Sequence, residues 1–320
     1  MAARDARAHI QLLLHVARRY YEEDLSQQQI AHEIKYSRAT VSRLLSEAKS
    51  RKIVEIYISH PLERALELES KLCRKFGLVD ARVAVPAAAN AAQVGEIGRI
   101  AGEFVIEHIT PDAIIALSNG TSAYATVEGV PSRDWRQSIV VQMVGSIGGG
   151  SPTLIDSPDL CRELARRIGG ISHTLPVPLV VASPETARLL RKEDVIVTTL
   201  ALARRAHVAI LGVGTVGPQG ESGQILRPFA DARVRAEVLA AGAVGHICGH
   251  HFNSAGKHVA TSLCGRTISL DIEHLPEIPI TLAVAWGDNK VPALSAILRT
   301  ENLNALCTDE QTAYRLLQMK

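Results

Sequence analysis

The chain has 320 residues, 47% hydrophobic and only 4% aromatic, with 35 Lys/Arg against 33 Asp/Glu. That length allows two domains, or one large core with an appendage, and the near-balanced charge excludes a protein that coats itself in nucleic acid. So few aromatics imply a core of Val, Ile, Leu and Ala, as in parallel α/β sheets.

Residues 8–22 place Leu12, Leu13, Val16, Ala17 and Tyr20 at helical spacing. The next stretch, Gln27 to Leu45, reads as two short helices joined by a tight turn. Ile30, Ala31 and Ile34 share a face of the first, and Val41, Leu44 and Leu45 a face of the second. Lys35-Tyr36 is too short for anything except a turn, and Ser37 is placed to cap the second helix through the N–H of Thr40. The turn position is often Gly, so Lys35 must adopt a left-handed conformation at some steric cost. Arg38, Thr40, Ser42 and Arg43 remain on the polar face, all groups that bond bases or phosphates, with Gln27, Gln28 and Ser37 beside them. A plain amphipathic pair is the bland alternative; core spacing, turn, cap and polar face together favour a helix-turn-helix DNA reader. Residues 1–60 hold ten Lys/Arg against seven Asp/Glu, leaving 25 against 26, so a small positive excess sits in this head.

Ile53 to Ile58 reads as a strand, either a wing beside the DNA backbone or a connection. Leu62 to Phe76 reads as a helix with leucines at 62, 66, 68 and 72, either pairing subunits or packing on its own domain. Domain boundaries of 1–60 and 61–320 follow. Beyond residue 80, strands over Ala81–Val85, Ala113–Leu117, Ile139–Val144, Val208–Val213 and Thr281–Ala285 alternate with helices over Val94–His108, Leu160–Ile168, Ala230–Ala240 and Pro292–Arg299. This alternation predicts a doubly wound α/β sheet with ligand loops at the strands' carboxyl ends.

Four such loops stand out. Ser118 to Ser122 leads into a helix from about Ala123 and resembles a phosphate cradle, although it is neither a P-loop nor a dinucleotide fingerprint. The Gly145–Gly150 loop, Gly212–Thr215 and Gly287–Lys290 share its small-residue character. A lysine at the first turn of a helix opposes the dipole, so Lys290 either answers a negative ligand or is an ordinary surface lysine. Gly245 to His251, with His258, lacks a standard zinc spacing and reads as a glycine-rich loop, so no metal is assigned. No catalytic triad, nucleophile elbow or carboxylate pair appears, and no cofactor is expected. The five cysteines, at 73, 161, 248, 264 and 307, are odd in number and scattered, which fits a reducing compartment. No apolar run of about 18 residues occurs and MAARDARAHIQ lacks a leader pattern, so no membrane partner and a cytoplasmic location are expected.

These residues resemble the SorC-type (SorC/DeoR) sugar-binding transcriptional regulators. The likeness rests on Val16–Tyr21, Leu25–Ala31 and Ser37–Leu45 in the head. In the body it rests on Gly212-Val213-Gly214, Gly242–Gly245 and the ending Leu303–Ala313. It implies an effector domain related to sugar-phosphate isomerases and deaminases, holding a phosphorylated sugar or polyol without turning it over. It also implies homodimers or homotetramers released from operator DNA by effector, the two heads ceasing to match half-sites ~34 Å apart or a multiple of that. Motif matching implies phosphate held by Gly120, Thr121 and Ser122 and neutralised by Lys290. Gly145, Ser146, Gly212, Gly214 and Asn253 would complete the effector site, with Pro176-Val177-Pro178 nearby. Two departures follow. Some members carry an imine-forming lysine where this chain has Val144, so a non-covalent effector is expected. The usual Phe-Phe-Asp run is His251-Phe252-Asn253, and His246 replaces an acid, so the effector can differ from the better-known ones. A sugar-phosphate isomerase or deaminase with an added head is the alternative, and a non-specific DNA-associated oligomer a third.

Overall fold

The computed structural model describes residues 2–54, 61–84, 90–148, 156–217 and 229–319. The chain divides into two compact units, Met1–His60 and Pro61–Lys320.

The first unit consists of α1 (Ala2–Tyr21), α2 (Gln27–Ile34) and α3 (Arg38–Ser50). Leu13 and Val16 of α1 meet Ile30 and Ala31 of α2 and Val41, Leu44 and Leu45 of α3 in one small core. The N-termini of α2 and α3 are both capped. Ser26 and Gln29 exchange hydrogen bonds in a capping box, and the Ser37 hydroxyl accepts from Thr40 N–H at 3.1 Å. Lys35 ends α2 in the left-handed region, φ 58° and ψ 40°, its N–H donating to Ala31 C=O. Such a residue stores ~1–2 kcal/mol of strain, and glycine gives back ~0.4–1 kcal/mol through the unfolded chain. Lys35→Gly should therefore stabilise the head by about 0.5–1 kcal/mol, read as slower amide hydrogen exchange in residues 27–50. The strand expected over Ile53–Ile58 lies mostly outside the described residues, at 55–60.

In the second unit, α4 (Pro61–Phe76) packs on its own domain. Ala65, Leu68 and Leu72 are buried in the main core, while Leu66 is largely exposed. Lys75 Nζ donates to the carbonyls of Leu316 and Leu317, the free C=O groups at the end of the final helix (Glu310–Gln318).

Seven parallel strands form the central sheet. They are β1 (Asp80–Ala84), β2 (Ile114–Leu117), β3 (Ile139–Gln142), β4 (Ile171–His173), β5 (Val208–Gly212), β10 (Ile280–Val284) and β11 (Ala305–Asp309), in spatial order β1-β11-β10-β5-β2-β3-β4. From β2 the chain winds outward through β3 to β4, then returns to β5 on the other side of β2 and continues outward. The crevice between β2 and β5 is therefore a topological switch point, where open α/β sheets bind ligands. The register pairs Leu117 with Ile210, which brings the loops after these strands side by side.

The sequence reading missed β4, β11 and the helices Pro184–Leu190, Asp194–Arg204 and Glu310–Gln318. β4 is a three-residue edge strand whose Ile171 faces solvent, and β11 carries Thr308 and Asp309, both buried and polar, so neither shows a continuous apolar run. Gly245–His251, expected as a loop, is not one. It belongs to a four-stranded antiparallel sheet of β6 (Gly214–Thr215), β7 (Ala243–Ile247), β8 (His250–Asn253) and β9 (His258–Val259). Only Cys248 and Gly249 turn the chain, both at positive φ (48° and 81°), as a two-residue hairpin requires.

α5 (Asn90–Glu107) crosses α6 (Thr121–Gly129) with backbones in contact. A Cβ on Gly102 would lie 2.3 Å from the Gly129 carbonyl carbon, where no flexible side chain can yield. Gly102→Ala should cost about 2–3 kcal/mol, measured as a lowered urea midpoint at unchanged m-value, and should push the C-terminal end of α6 away from α5.

Candidate functional site

At the switch point lies a cavity of about 360 Å³, within the ~300–1,000 Å³ range of small-molecule sites. The loop after β2 supplies Ser118 to Ser122, the end of β5 Gly212 to Gly214, and the loop after β10 Trp286, Asn289 and Lys290. Val144, Leu179, His246, Cys248 and Gly249 close it.

Local sequence explains the cradle. Gly120 stands at φ 99°, open to glycine but strained for other residues, and turns the chain directly from strand into α6. As N-cap it offers no side chain, so the first N–H groups of α6 face the cavity mouth without a capping acceptor. Two further donors remain unused. Ser118 Oγ and Asn119 Nδ2 are buried without a hydrogen-bond partner, and both residues line the cavity. Unmet buried donors cost ~1–3 kcal/mol each, a cost that a ligand with acceptor oxygens removes.

Lys290 faces the same space. It is the last residue of the 3-10 turn Asp288–Lys290 and the N-cap of the helix Val291–Ile297. Its Nζ stands 5.8 Å from the Trp286 ring centroid, and among the described residues it has no ion-pair partner. Burial pushes its pKa down to about 8, since an ammonium loses hydration there without a carboxylate in return. The loop holding it is fixed from below. Gly287 N–H donates to Asp309 Oδ2 at 3.1 Å and to Thr312 Oγ1 at 2.9 Å. Asp309 also caps the final helix through Thr312 N–H.

Of the expected effector residues, the structure brings Gly120, Thr121, Ser122, Gly212, Gly214 and Lys290 to one cavity. It does not bring Gly145, Ser146 or Asn253 there. Ser146 Oγ is bonded to Asp156 Oδ2, and Gly145 packs against the backbone of Pro178. Asn253 Oδ1 accepts from Ala255 and Lys257 N–H, closing the turn between β8 and β9. Val144 does reach the cavity wall, so an apolar side chain stands where an imine-forming amine would be needed. Ser118 and Asn119 belong to the loop read as a cradle and His246 replaces an acid, but neither they nor Cys248 were assigned to the effector site from sequence. The first two could have been, as polar residues between a buried strand and a helix-starting glycine; His246 arrives from a distant hairpin. Desolvation pushes the Cys248 thiol up to about 12, so it is an inert wall. The described lining residues include no carboxylate.

In the head, Arg38, Ser42, Arg43, Gln28 and Ser37 are exposed, whereas Gln27 and Thr40 are half-buried. Thr40 Oγ1 is shared with Ser37 Oγ at 2.9 Å. The carboxylates of α2 and α3 are engaged elsewhere. Glu33 pairs with Arg19, which holds its carboxyl below the usual range, and Glu47 pairs with His9 and Arg51. Arg38 and Arg43 have no carboxylate partner among the described residues, so α3 presents unneutralised positive charge at its N-terminal half.

Residues 60–318 match the Sugar-bind family, a sugar-binding domain. The full-length sorbitol operon regulator SorC of Klebsiella pneumoniae superposes with a TM-score of 0.77 at 28% identity, covering 97% of this chain and 99% of that one. The chain belongs to the SorC-type sugar-binding transcriptional regulators. Other relatives agree with this placement. The deoxyribonucleoside regulator of Bacillus subtilis is 30% identical over 96% of this chain and 97% of its own length. The transcriptional regulator LsrR of Escherichia coli K12 is 29% identical over 93% and 92%. As a SorC-type protein, the chain is a transcriptional regulator with a sugar-binding domain, and its partners are DNA and a sugar-derived effector. Among the described residues no helix is long and apolar enough to cross a membrane.

Proposed function

We propose that this regulator is a cytoplasmic repressor of a carbohydrate or polyol operon. It binds operator DNA as a homodimer or homotetramer and is controlled non-covalently by a phosphorylated sugar or polyol. The observation that carries the effector class is the convergence in one cavity of Ser118 Oγ, Asn119 Nδ2, the open N-terminus of α6 and the Lys290 ammonium, which has no ion-pair partner among the described residues. Together they suit a phosphate dianion with hydroxyl groups beside it. Thr121 and Ser122 supply hydroxyls at the phosphate, while Gly212 and Gly214 let the sugar approach the backbone. Val144 at the cavity wall supports reversible binding without a covalent bond. Arg38, Thr40, Ser42 and Arg43 read bases or phosphates, with Gln27, Gln28 and Ser37 fixing register. Effector acts by favouring a subunit arrangement whose heads no longer match two half-sites.

The test is a thermal-shift panel of sugar and polyol phosphates beside their unphosphorylated parents, followed by gel shifts on the DNA upstream of its own gene. A ligand that binds only the folded state raises the melting temperature. A phosphorylated compound should shift it more than its parent and change operator affinity. Shifts by unphosphorylated sugars alone would defeat the effector assignment, and turnover of a sugar phosphate would revive the isomerase reading.

A further inference from the structure

The small antiparallel sheet carries a cluster that the effector cavity does not use. One ring nitrogen of His250, one of His258 and the Sγ of Cys264 all lie within 4.8 Å of one another. His250 is 7% exposed. Its Nε2 is hydrogen-bonded to Ser269 Oγ at 3.2 Å, and its Nδ1 is buried without a partner. One imidazole nitrogen held by a hydroxyl and the other left open is how proteins orient a histidine for a metal ion. His258 comes from the neighbouring strand β9, its ring centroid 5.3 Å from that of His250. Cys264 opens the following 3-10 turn and is half-buried. Its sulfur lies at long range from Val259 C=O and His251 Nδ1, 3.6 Å each, and from Gly249 C=O at 3.9 Å. It accepts a hydrogen bond from Thr261 Oγ1 at 3.2 Å, which favours a thiolate.

We infer that His250, His258 and Cys264 form a binding site for a divalent zinc-class metal ion. Two imidazoles and a thiolate are zinc ligands by softness and by number, with water as the fourth ligand on the exposed His258 side. Bond lengths of ~2.0–2.3 Å place such ligand atoms ~3.3–3.8 Å apart, so modest side-chain adjustment from the present separation closes the shell. The sequence spacing, seven residues and then five between ligands, follows no zinc signature, which is why the histidine run alone does not reveal the site. The ion would tie β8, β9 and the turn after them together, next to the Cys248–Gly249 turn on the cavity wall.

The experiment is equilibrium dialysis of the metal-free, tag-free full chain against zinc chloride, with cobalt(II) chloride as the spectroscopic probe. One ion per chain is expected, and the cobalt form should show a thiolate-to-metal charge-transfer band. His258→Ala, at an exposed position, and Cys264→Ser should each weaken zinc binding at least tenfold, and Cys264→Ser should abolish the band. Cys73→Ser, at another half-buried free thiol, should leave both unchanged. No zinc uptake, a cobalt spectrum without the band, or undiminished binding in both His258→Ala and Cys264→Ser overturns the site.

Discussion

Lys290→Met should weaken binding of a phosphorylated effector about 100-fold while leaving the ligand-free protein as stable as before or more so. The two effects have opposite signs because the same ammonium is a liability when the cavity is empty and an asset when it is filled. Empty, it is desolvated beside Trp286 with no carboxylate partner among the described residues, and its pKa falls to about 8. Filled, it gains a charge-assisted hydrogen bond worth ~2–3 kcal/mol. Isothermal titration with the phosphate that gives the largest thermal shift reads the first effect, and the melting temperature without ligand reads the second. Unchanged affinity would remove Lys290 from the site; weakened affinity with a collapsed melting temperature would make it a structural residue. The pH dependence carries the same logic. Lys290 titrates near 8 in the free protein, and a bound dianion raises that value, so effector affinity should fall as pH rises above about 8. Below about pH 6 the phosphate itself takes up a proton, so affinity should fall there too. For folding, the native pKa lies below the unfolded one. The unfolded chain therefore binds more protons between about 8 and 10.5, and ligand-free stability should rise with pH through that window. Lys290→Met should flatten the rise and remove the alkaline decline in affinity.

Arg43→Ala should weaken operator binding by about 10-fold to 100-fold, from the ~1–3 kcal/mol that a bidentate hydrogen bond to a base contributes, with effector affinity unchanged. The side chain is exposed on α3, beside Ser42 and one turn along from Thr40, and has no carboxylate partner among the described residues whose release would offset the effect. Gel shifts at several salt concentrations separate the two ways it can engage DNA. If Arg43 bonds a base edge, its removal should leave the salt slope unchanged and relax sequence preference. If it bonds a phosphate, its removal should weaken all sequences alike and lower the slope by about one. Operator affinity equal to that of the unsubstituted chain would sink the assignment of α3 as the reading helix. Ala39 lies on the same exposed stretch but offers no polar group, so Ala39→Ser is a control expected to stay close to the parent.

The helical head was legible in the sequence because its information is local. Apolar residues three and four apart set the buried faces of α2 and α3, Ser37 sets the start of α3, and two residues between the helices leave room only for a turn. Even the strain at Lys35 follows from that spacing. Five of the seven strands were legible, and β2, β3, β5 and β10 for a related reason: a strand buried on both faces is mostly a run of Val, Ile, Leu and Ala. β4 and β11 escaped because an exposed edge strand and a strand bearing the helix-capping Asp309 are not apolar throughout. Gly120 and Lys290 could be proposed from sequence because each sits just after a visible strand. What only the tertiary structure decided is which loops share a cavity. Strand order, not chain order, places β2 beside β5 and β10 next to that, so Ser118, Gly212 and Lys290 meet although some 170 residues separate the first from the last. The same folding removed Asn253 to a turn and Ser146 to Asp156, turned an apparent glycine loop into two strands, and set His250, His258 and Cys264 together. A hydrogen-bond donor is available to a ligand only if no neighbour has satisfied it, and that depends on residues remote in the chain.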